Sequence, residues 1–534
     1  MFDSYYQPHP AYRRPLFARN GMVAASQPLA AQAGLEILRS GGNAIDAAIA
    51  TAAALTVVEP NANGIGSDAF ALVWTQGKLH GLNASGPAPM SITREAVKAA
   101  GHTKMPTFGA LPVTVPGTPG GWAELSRRFG RLPLSEVLQP AIDYAENGFP
   151  VSPTVAYFWE KAYARFRDIF TDKCFEPWFA TFAPAGRAPR PGEMWRSPDH
   201  GSTLRLIGET GAEAFYRGEL AERIAGFVRQ AGGYLQANDL AAYQPEWVQP
   251  ISTAYRGYDV WEIPPNGQGL VALMALNIAK GFEFGADEVQ NFHRQIEAMK
   301  LAFADGQKYI TDSRHMKADI TRLLSEEYGA RRRELIGASA LQPEAGDPHA
   351  SGTVYLAAAD GEGNMISFIQ SNYMGFGSGL VVPGTGIALQ NRGSDFSLED
   401  GHDNRLEPGK RTYHTIIPGF LTRNGQAIGP FGVMGGYMQP QGHMQVVMNT
   451  IDYGLHPQAA LDAPRWQWTG GKTVLVEPTF PNATAQALAR LGHDIRITLD
   501  SGSFGRGQII WRDPDTGVFC GGTDSRTDGT VAAW

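Results

Sequence analysis

The sequence predicts a layered α+β fold, because helical and strand patterns dominate different parts of the chain. Helical patterns prevail in the first part, whereas short β-rich segments separated by glycine-rich turns recur after about residue 351. The chain has 534 residues, of which 43% are hydrophobic, so it can bury a large core. No internal repeat or low-complexity tract interrupts this arrangement.

The helices are predicted from capping and terminating residues. Ser26 and Pro28 open a first helix, and Asn43 caps a second, which Pro60 ends. Further helical patterns cover residues 120–147 and 204–232. Proline, glycine and aromatic residues crowd the stretch 179–201, which predicts a long surface loop.

The strands are predicted from short runs of apolar and β-branched residues between turns. They cover residues 70–74, 79–82, 353–359, 365–371, 386–390, 415–422 and 473–476. The first two flank the turn Gln76–Gly77 and predict a hairpin.

Charge and composition exclude several classes of protein. A net charge of −7 and a pI of about 6.0, without a dense basic run, argue against nucleic-acid binding. No apolar stretch is long enough to cross a membrane, and residues 1–8 do not resemble a signal peptide. The two cysteines, Cys174 and Cys520, lie far apart and fit reduced thiols. We therefore expect a cytoplasmic protein.

A second predicted hairpin, formed by the runs 353–359 and 365–371, places two hydroxyl residues side by side. If the hairpin is symmetric about Glu362, Thr353 faces Ser371 at its open end. Directly opposed residues have Cβ atoms roughly 4.5–5.5 Å apart, so the two hydroxyls can share a hydrogen bond. A bulge would shift this register by one residue.

Cleavage after Gly352 would turn Thr353 into a complete nucleophile. Thr353 would then carry both a hydroxyl and a free α-amine, whose pKa of roughly 7.7–8.0 in peptides allows it to accept the hydroxyl proton near neutral pH. In the precursor, the same hydroxyl can attack the preceding carbonyl, and Gly352 tolerates the strained backbone that this attack needs. The alternative is an ordinary strand threonine after a flexible glycine.

Over nearly its whole length the chain resembles the γ-glutamyltransferase family. Ordered matches carry this resemblance: Ser40-Gly-Gly-Asn-Ala-Ile-Asp-Ala-Ala48, Glu59-Pro60, Gly64-Ile-Gly66, Val115-Pro-Gly-Thr-Pro-Gly-Gly-Trp122, 132–149, Gly436, Ile451-Asp-Tyr-Gly-Leu455 and Ala463-Pro-Arg465. The resemblance implies a four-layer αββα sandwich of the N-terminal-nucleophile hydrolase type. It further implies self-cleavage into a large chain, 1–352, and a small chain, 353–534, which remain together as one composite domain.

The resemblance also assigns the catalytic positions. Thr353 takes the place of the nucleophile, and Ser371 takes that of the threonine that supports it. Gly435 and Gly436 are expected to offer backbone N–H groups to a developing oxyanion, although a plain turn is the alternative. No cofactor or metal is expected. The expected partners are a small amide substrate and the second cleaved chain, and a dimer of such two-chain units is left open.

The substrate pocket departs from the family pattern. Ser85 stands where the family has a carboxylate-binding arginine, so a γ-glutamyl substrate would lose a charge-assisted contact. The other expected substrate-binding residues are Tyr373, Arg392, Asp395, His414 and Thr415. Only Asp395 matches the family residue, and the resemblance implies that it holds the amine of a γ-glutamyl substrate. Three of these residues have an alternative: Arg392 as a solvated loop arginine, His414 as a core histidine, and Asp395 as a cap.

These departures resemble a divergent branch that includes oxamate amidohydrolase, glutathione-hydrolase-like and cephalosporin-acylase-like proteins. We therefore expect an N-terminal threonine amidohydrolase acting on a small, carboxylate-bearing linear amide such as oxamate through an acyl-threonine. A γ-glutamyltransferase or glutathione hydrolase, a cephalosporin-type acylase, and a non-catalytic binding homologue are the alternatives. Motifs of serine hydrolases, Rossmann oxidoreductases and zinc enzymes are absent from the sequence.

Overall fold

The computed structural model describes residues 8–9, 13–343 and 352–534, and these contain twenty-one strands and nineteen α-helices. The first seven residues, on which the expectation of no signal peptide largely rests, lie outside the described residues. In the described part of the chain, no helix combines the length and apolarity needed to cross a bilayer.

The strands are β1 Leu16–Ala18, β2 Gly21–Ala25, β3 Asp68–Thr75, β4 Lys78–Ala84, β5 Phe149–Pro150, β6 Met194–Trp195, β7 Glu246–Val248, β8 Ile251–Tyr255, β9 Tyr258–Glu262, β10 Gly352–Asp360, β11 Met365–Tyr373, β12 Val381–Val382, β13 Ile387–Ala388, β14 Gly419–Arg423, β15 Gln426–Met434, β16 Trp466–Gly470, β17 Thr473–Val476, β18 Asp494–Ile497, β19 Arg506–Arg512, β20 Phe519–Thr523 and β21 Thr530–Ala533.

The α-helices are α1 Pro28–Arg39, α2 Ala44–Val58, α3 Arg94–Ala99, α4 Thr118–Phe129, α5 Leu134–Val137, α6 Gln139–Asn147, α7 Pro153–Ile169, α8 Glu176–Phe182, α9 Pro198–Thr210, α10 Glu213–Arg217, α11 Glu219–Gln230, α12 Ala237–Ala242, α13 Gly269–Ala279, α14 Glu288–Tyr309, α15 Ile320–Leu323, α16 Glu326–Arg333, α17 Gln439–Ile451, α18 Pro457–Asp462 and α19 Asn482–Arg490. Short 3-10 helices cover Lys173–Phe175, Arg392–Asp395, Gly436–Met438 and Ser501–Phe504.

Two seven-stranded antiparallel sheets form the centre of the fold. Their strand orders are β21-β2-β10-β11-β3-β4-β7 and β1-β20-β19-β15-β14-β9-β8. The β2, β10 and β11 strands of the first sheet pack against β15, β19 and β20 of the second. Both sheets take strands from each side of residue 352, so the two expected chains are interleaved within one body.

Side-chain alternation produces the four layers. In β10, Tyr355 and Ala357 point into the core between the sheets, whereas Val354 and Leu356 face the outer core with α1 and α2. Helices α13, α14 and α17 cover the outer face of the second sheet in the same way. The structure therefore confirms the predicted α+β class and the four-layer αββα sandwich.

The β10–β11 hairpin has the predicted register. Val354 pairs with Gln370 and Tyr355 with Ile369, which is the register symmetric about Glu362. The register shifts between Gly352 and Val354, so Thr353 lies at a bulge at the open end of the hairpin. A bulge bends a strand and changes the direction of a side chain. Here the bulge sets the direction of the Thr353 side chain, the expected nucleophile.

Three local predictions were wrong. The predicted strand 415–422 begins only at Gly419, as β14. The side chain of Gln27, not Ser26, caps α1, because its Oε1 accepts the N–H groups of Leu29 and Ala30. Ser26 instead donates its hydroxyl to Glu59, a contact between distant segments that local sequence does not reveal. The predicted loop 179–201 contains part of α8, all of β6 and the start of α9, because its aromatic residues pack into the core.

Candidate active site

The hydroxyls of Thr353 and Ser371 lie in hydrogen-bonding contact at the end of the β10–β11 hairpin. The distance between Thr353 Oγ1 and Ser371 Oγ is 2.9 Å, and both residues are buried. The N–H of Tyr373 donates to Ser371 Oγ at 2.8 Å. This second bond fixes the Ser371 side chain, so Ser371 can orient the Thr353 hydroxyl toward a carbonyl.

Asp68 continues this row of polar side chains onto the next strand. It pairs with Ser371 in the β3–β11 register and accepts the N–H of Gly86 at 3.1 Å. His414 contacts its other oxygen, with 3.1 Å between Nε2 and Oδ2. Burial raises the pKa of Asp68 to about 7, although the nearby Arg392 guanidinium opposes this shift. Sequence reasoning did not identify Asp68 as a site residue.

The tautomer of His414 follows from its partners. Its Nδ1 accepts the N–H of Ile416 at 3.3 Å, so the ring proton lies on Nε2 and is donated to Asp68. Burial and the positive charge of Arg392 hold the pKa of His414 well below its usual value. His414 is therefore neutral and orients Asp68. It lies beside the site, as predicted, and it is also a hydrogen-bonded core histidine, as the alternative proposed.

Arg392 is buried within a compact group of the expected substrate-binding residues. Its Nη1 donates to Thr415 Oγ1 at 2.9 Å and lies 3.4 Å from Asp395 Oδ2, and its guanidinium lies 4.0 Å from the ring centroid of Tyr373. Tyr373 in turn donates its hydroxyl to Asp395 Oδ1 at 2.6 Å. The solvated-loop alternative for Arg392 is therefore wrong, since its side chain is only 1% exposed.

Two donors of the Arg392 guanidinium have no partner in the described part of the chain. They are Nε and Nη2, and both are buried. These two N–H groups point in parallel along one edge of the guanidinium, which is the edge that binds a carboxylate through two hydrogen bonds. A buried cation with unsatisfied donors is costly unless a ligand satisfies them. The arrangement is suited to hold a small carboxylate.

Gly435 and Gly436 adopt a turn that most residues avoid. Gly435 has a φ of +135°, and a Cβ at this position would lie 3.0 Å from the Cα of Gly505. Neither glycine N–H donates a hydrogen bond to another group of the described chain. Gln268 ties this turn to the pocket, because its Nε2 donates to the carbonyls of Gly436 and Thr415 at 2.8 and 2.6 Å.

Ser85 lies in a hydrogen-bonded polar cluster at the end of β4. Its hydroxyl donates to Asn83 Oδ1 at 2.7 Å, and Asn266 Nδ2 lies 3.2 Å from its oxygen. A different arginine reaches this place: Arg411 Nε donates to the Ser85 carbonyl at 3.0 Å. The Arg411 guanidinium is paired with Glu246 at 2.8 Å, so it is held as a structural link.

One buried cluster has the composition of a metal site but is already hydrogen-bonded. The ligand atoms of His293, Glu297 and His493 lie within 4.8 Å of one another. His293 Nε2 contacts the Gly337 carbonyl, so its Nδ1 accepts from His493 Nε2 at 2.9 Å. Lys300 contacts the other His493 nitrogen at 3.4 Å and Glu297 at 2.7 Å. These bonds occupy the imidazole lone pairs that a metal would need.

The structure thus brings most of the predicted site residues into two connected groups. Thr353 and Ser371 form one, and Tyr373, Arg392, Asp395 and Thr415 form the other, linked through Tyr373. The predicted Ser85 and His414 contact neighbouring polar residues instead. The residues that sequence reasoning missed are Asp68, Asn83, Asn266, Gln268 and Arg411. Asp68 lies two residues after the matched Gly64-Ile-Gly66, and Arg411 lies three residues before the predicted site residue His414; that proximity was the available signal.

Comparison with known proteins relates this chain to a family of enzymes. The family model described as gamma-glutamyltranspeptidase matches residues 30–534. A glutathione hydrolase-like proenzyme, YwrD of Bacillus subtilis, is 39% identical and covers 96% of this chain and 98% of its own. An oxamate amidohydrolase proenzyme of Klebsiella pneumoniae is 37% identical with the same coverage. A crystal structure of a cephalosporin acylase from Bacillus halodurans is 68% identical, with a TM-score of 0.96 and coverage of 100% and 99%.

Proposed function

The chain belongs to the gamma-glutamyltranspeptidase family, and we propose that it is a self-processing amidohydrolase whose nucleophile is Thr353. Cleavage before Thr353 gives a large chain of residues 1–352 and a small chain of residues 353–534 that begins with the nucleophile. The contact of 2.9 Å between Thr353 and Ser371 supports this assignment, as do the proenzyme names of the relatives.

Self-cleavage proceeds by an acyl shift within the chain. The Thr353 hydroxyl attacks the Gly352 carbonyl, the C–N bond breaks, and the Gly352 acyl group moves to Thr353 Oγ1. Water then hydrolyses this ester, which leaves a carboxylate on Gly352 and a free α-amine on Thr353. The amine serves as the general base for each later reaction, because its pKa lies near neutral pH.

Substrate hydrolysis reuses the same atoms. Thr353 Oγ1 attacks the substrate carbonyl while its α-amine takes the hydroxyl proton, and the N–H groups of Gly435 and Gly436 stabilise the oxyanion. Each such donor is worth about 3–4 kcal/mol in comparable enzymes. The leaving nitrogen takes the proton, the C–N bond breaks, and water hydrolyses the acyl-Thr353 ester to the free acid.

The unpartnered Nε and Nη2 of Arg392 are the observation that carries the substrate assignment. They favour an amide whose acyl part ends in a carboxylate. Oxamate is the smallest such amide, and the 37% identical relative is named for it. A γ-glutamyl substrate is less suited, because Asp395, the expected partner of its amine, already contacts Tyr373 and Arg392.

A second candidate is a cephalosporin-type acylase, which cleaves a larger amide at the same nucleophile. The observation that favours it is the 68% identity to the cephalosporin acylase from Bacillus halodurans. The Arg392 site is compatible with this candidate, provided that the acyl group ends in a carboxylate. The two candidates therefore differ in the length of the acyl group and in the size of the amine.

A series of amides that share a terminal carboxylate tests the substrate assignment. The processed protein is incubated with oxamate, with succinyl, glutaryl and γ-glutamyl 4-nitroanilides, and with glutathione, and the released amine is measured. Turnover of oxamate or of the succinyl or glutaryl anilide supports the proposal, and the preferred chain length separates the two candidates. Efficient turnover of glutathione and the γ-glutamyl anilide, with no turnover of the other three compounds, restores the ordinary activity of the family and refutes the proposal.

A further inference from the structure

A cavity of about 200 Å³ is lined by residues that neighbour the candidate active site. Met434, on one wall, directly precedes Gly435 of the expected oxyanion turn. Ala62, on another, accepts the N–H of Asn372 at 3.4 Å, and Asn372 lies between Ser371 and Tyr373 in β11. The cavity therefore adjoins the nucleophile's strand and the oxyanion turn at the same time.

The cavity contains an arginine with unused hydrogen-bonding capacity. Arg506 heads β19, lines the cavity and is 8% exposed. The one hydrogen bond of its side chain in the described part of the chain joins Nη1 to Glu59 Oε1 at 3.3 Å, which is long for a charged pair. Its guanidinium lies 4.4 Å from the ring centroid of Phe158, within the range of a cation–π contact.

The other charges near the cavity leave Arg506 available. Glu59 does not line the cavity, is 1% exposed and also accepts the Ser26 hydroxyl at 2.5 Å. Burial raises the pKa of Glu59 to about 7, so its negative charge is weakened near neutral pH. At the mouth, Lys161 and Asp500 face each other at 3.3 Å and are both about half exposed, so these two charges offset each other.

From this arrangement we propose that the cavity holds the amine half of the amide and that Arg506 binds a carboxylate on that amine. The inference rests on the proposed function. Because oxamate releases only ammonia, the inference narrows that function to its second candidate, the larger amides, and specifies these as amides of a carboxylate-bearing amine. The side chains of Phe158, Phe376 and Met434 line the cavity beside Arg506 and fit the apolar or flat body of such an amine. When the C–N bond breaks, the leaving nitrogen takes the proton from the Thr353 α-ammonium and departs as the free amine.

Two chromogenic anilides test the proposal. They carry the same acyl group, the one that the processed protein hydrolyses fastest, and differ only in the amine: 4-nitroaniline or 3-carboxy-4-nitroaniline. The ratio of their kcat/KM values cancels differences in active fraction between proteins. We expect the wild-type protein to prefer the carboxylated anilide by at least about tenfold, and Arg506→Gln to lower this ratio to about one.

Two further variants keep the test independent of folding. Arg506→Lys preserves the charge beside Glu59 and retains part of the preference. Arg512→Gln, at the other end of the same strand, leaves the ratio unchanged. A wild-type ratio near one, with the plain anilide still hydrolysed, overturns the inference alone, as does an Arg506→Gln protein that keeps the preference. Absence of turnover of every amide overturns the proposed function and this inference together.

Discussion

Replacing Arg392 by alanine removes the group that we expect to hold the substrate carboxylate. In the structure this guanidinium offers Nε and Nη2 without partners, so the substrate would gain two parallel charge-assisted hydrogen bonds. Bonds to charged groups contribute about 1.5–3 kcal/mol, and about 1.4 kcal/mol corresponds to tenfold in rate. Arg392→Ala is therefore expected to lower kcat/KM for a carboxylate-bearing amide by about 10- to 100-fold.

The assay compares oxamate with oxamide, in which an uncharged amide replaces the carboxylate. Ammonia release gives kcat/KM for both compounds in the wild-type protein, in Arg392→Ala and in Arg392→Lys. The loss should fall on oxamate, with Arg392→Lys intermediate, because an ammonium keeps the charge but not the parallel pair of donors. If the protein prefers a longer acyl group, the same comparison uses that monoamide and its diamide.

The exposed Arg423 at the end of β14 provides a matched control, and Arg423→Ala should leave the ratio of the two substrates unchanged. An equal loss on the charged and the uncharged substrate would mean that Arg392 supports the pocket without binding a carboxylate. No loss on either would remove Arg392 from the site.

Three further substitutions address other parts of the site. Ser371→Ala removes the partner of the Thr353 hydroxyl and should slow both self-cleavage and turnover with little change in Tm, as followed by gel and steady-state kinetics; unchanged rates would exclude this role. Gly435→Ala strains a backbone with a φ of +135°, and should lower kcat more than it raises KM; an unchanged kcat would argue against an oxyanion turn. Burial raises the pKa of Asp68 from 3.8 to about 7, so the folded state binds this proton more tightly than the unfolded state does. The free energy of unfolding therefore falls as pH rises from 3.8 to about 7, by up to about 1.4 kcal/mol per pH unit. Asp68→Asn should remove this contribution in urea unfolding at pH 4–7, and an unaltered pH slope would contradict the shift.

The sequence predicted well those features that depend on neighbouring residues. The strand period and the glycine-rich turn were enough to predict that Thr353 faces Ser371, and the hydrogen bond of 2.9 Å agrees. Asn43 caps α2 as predicted, because its side chain accepts the N–H groups of Ile45 and Asp46. The four-layer architecture followed from the family resemblance, since periodicity alone indicated only a layered α+β fold.

Features that depend on distant segments were harder to predict. Asp68 and His414 are 346 residues apart, and Gln268 and Thr415 are 147 apart, so no local pattern links them. The burial of Arg392 could not be inferred either, since an arginine in a glycine loop is ordinarily solvated. The error at Ser26 has the same origin, because its partner Glu59 lies at the C-terminal end of α2, 33 residues away.

Intact-mass analysis of the purified protein tests the central claim most directly. If Thr353 is the nucleophile, the wild-type protein contains two chains of 352 and 182 residues, together the 534 of the precursor, and the smaller begins with Thr353. Thr353→Ala should remain a single chain without activity, whereas Thr353→Ser, which keeps the hydroxyl, should still be cleaved. An uncleaved wild-type protein, cleavage at any other bond, or a processed Thr353→Ala protein would contradict the assignment.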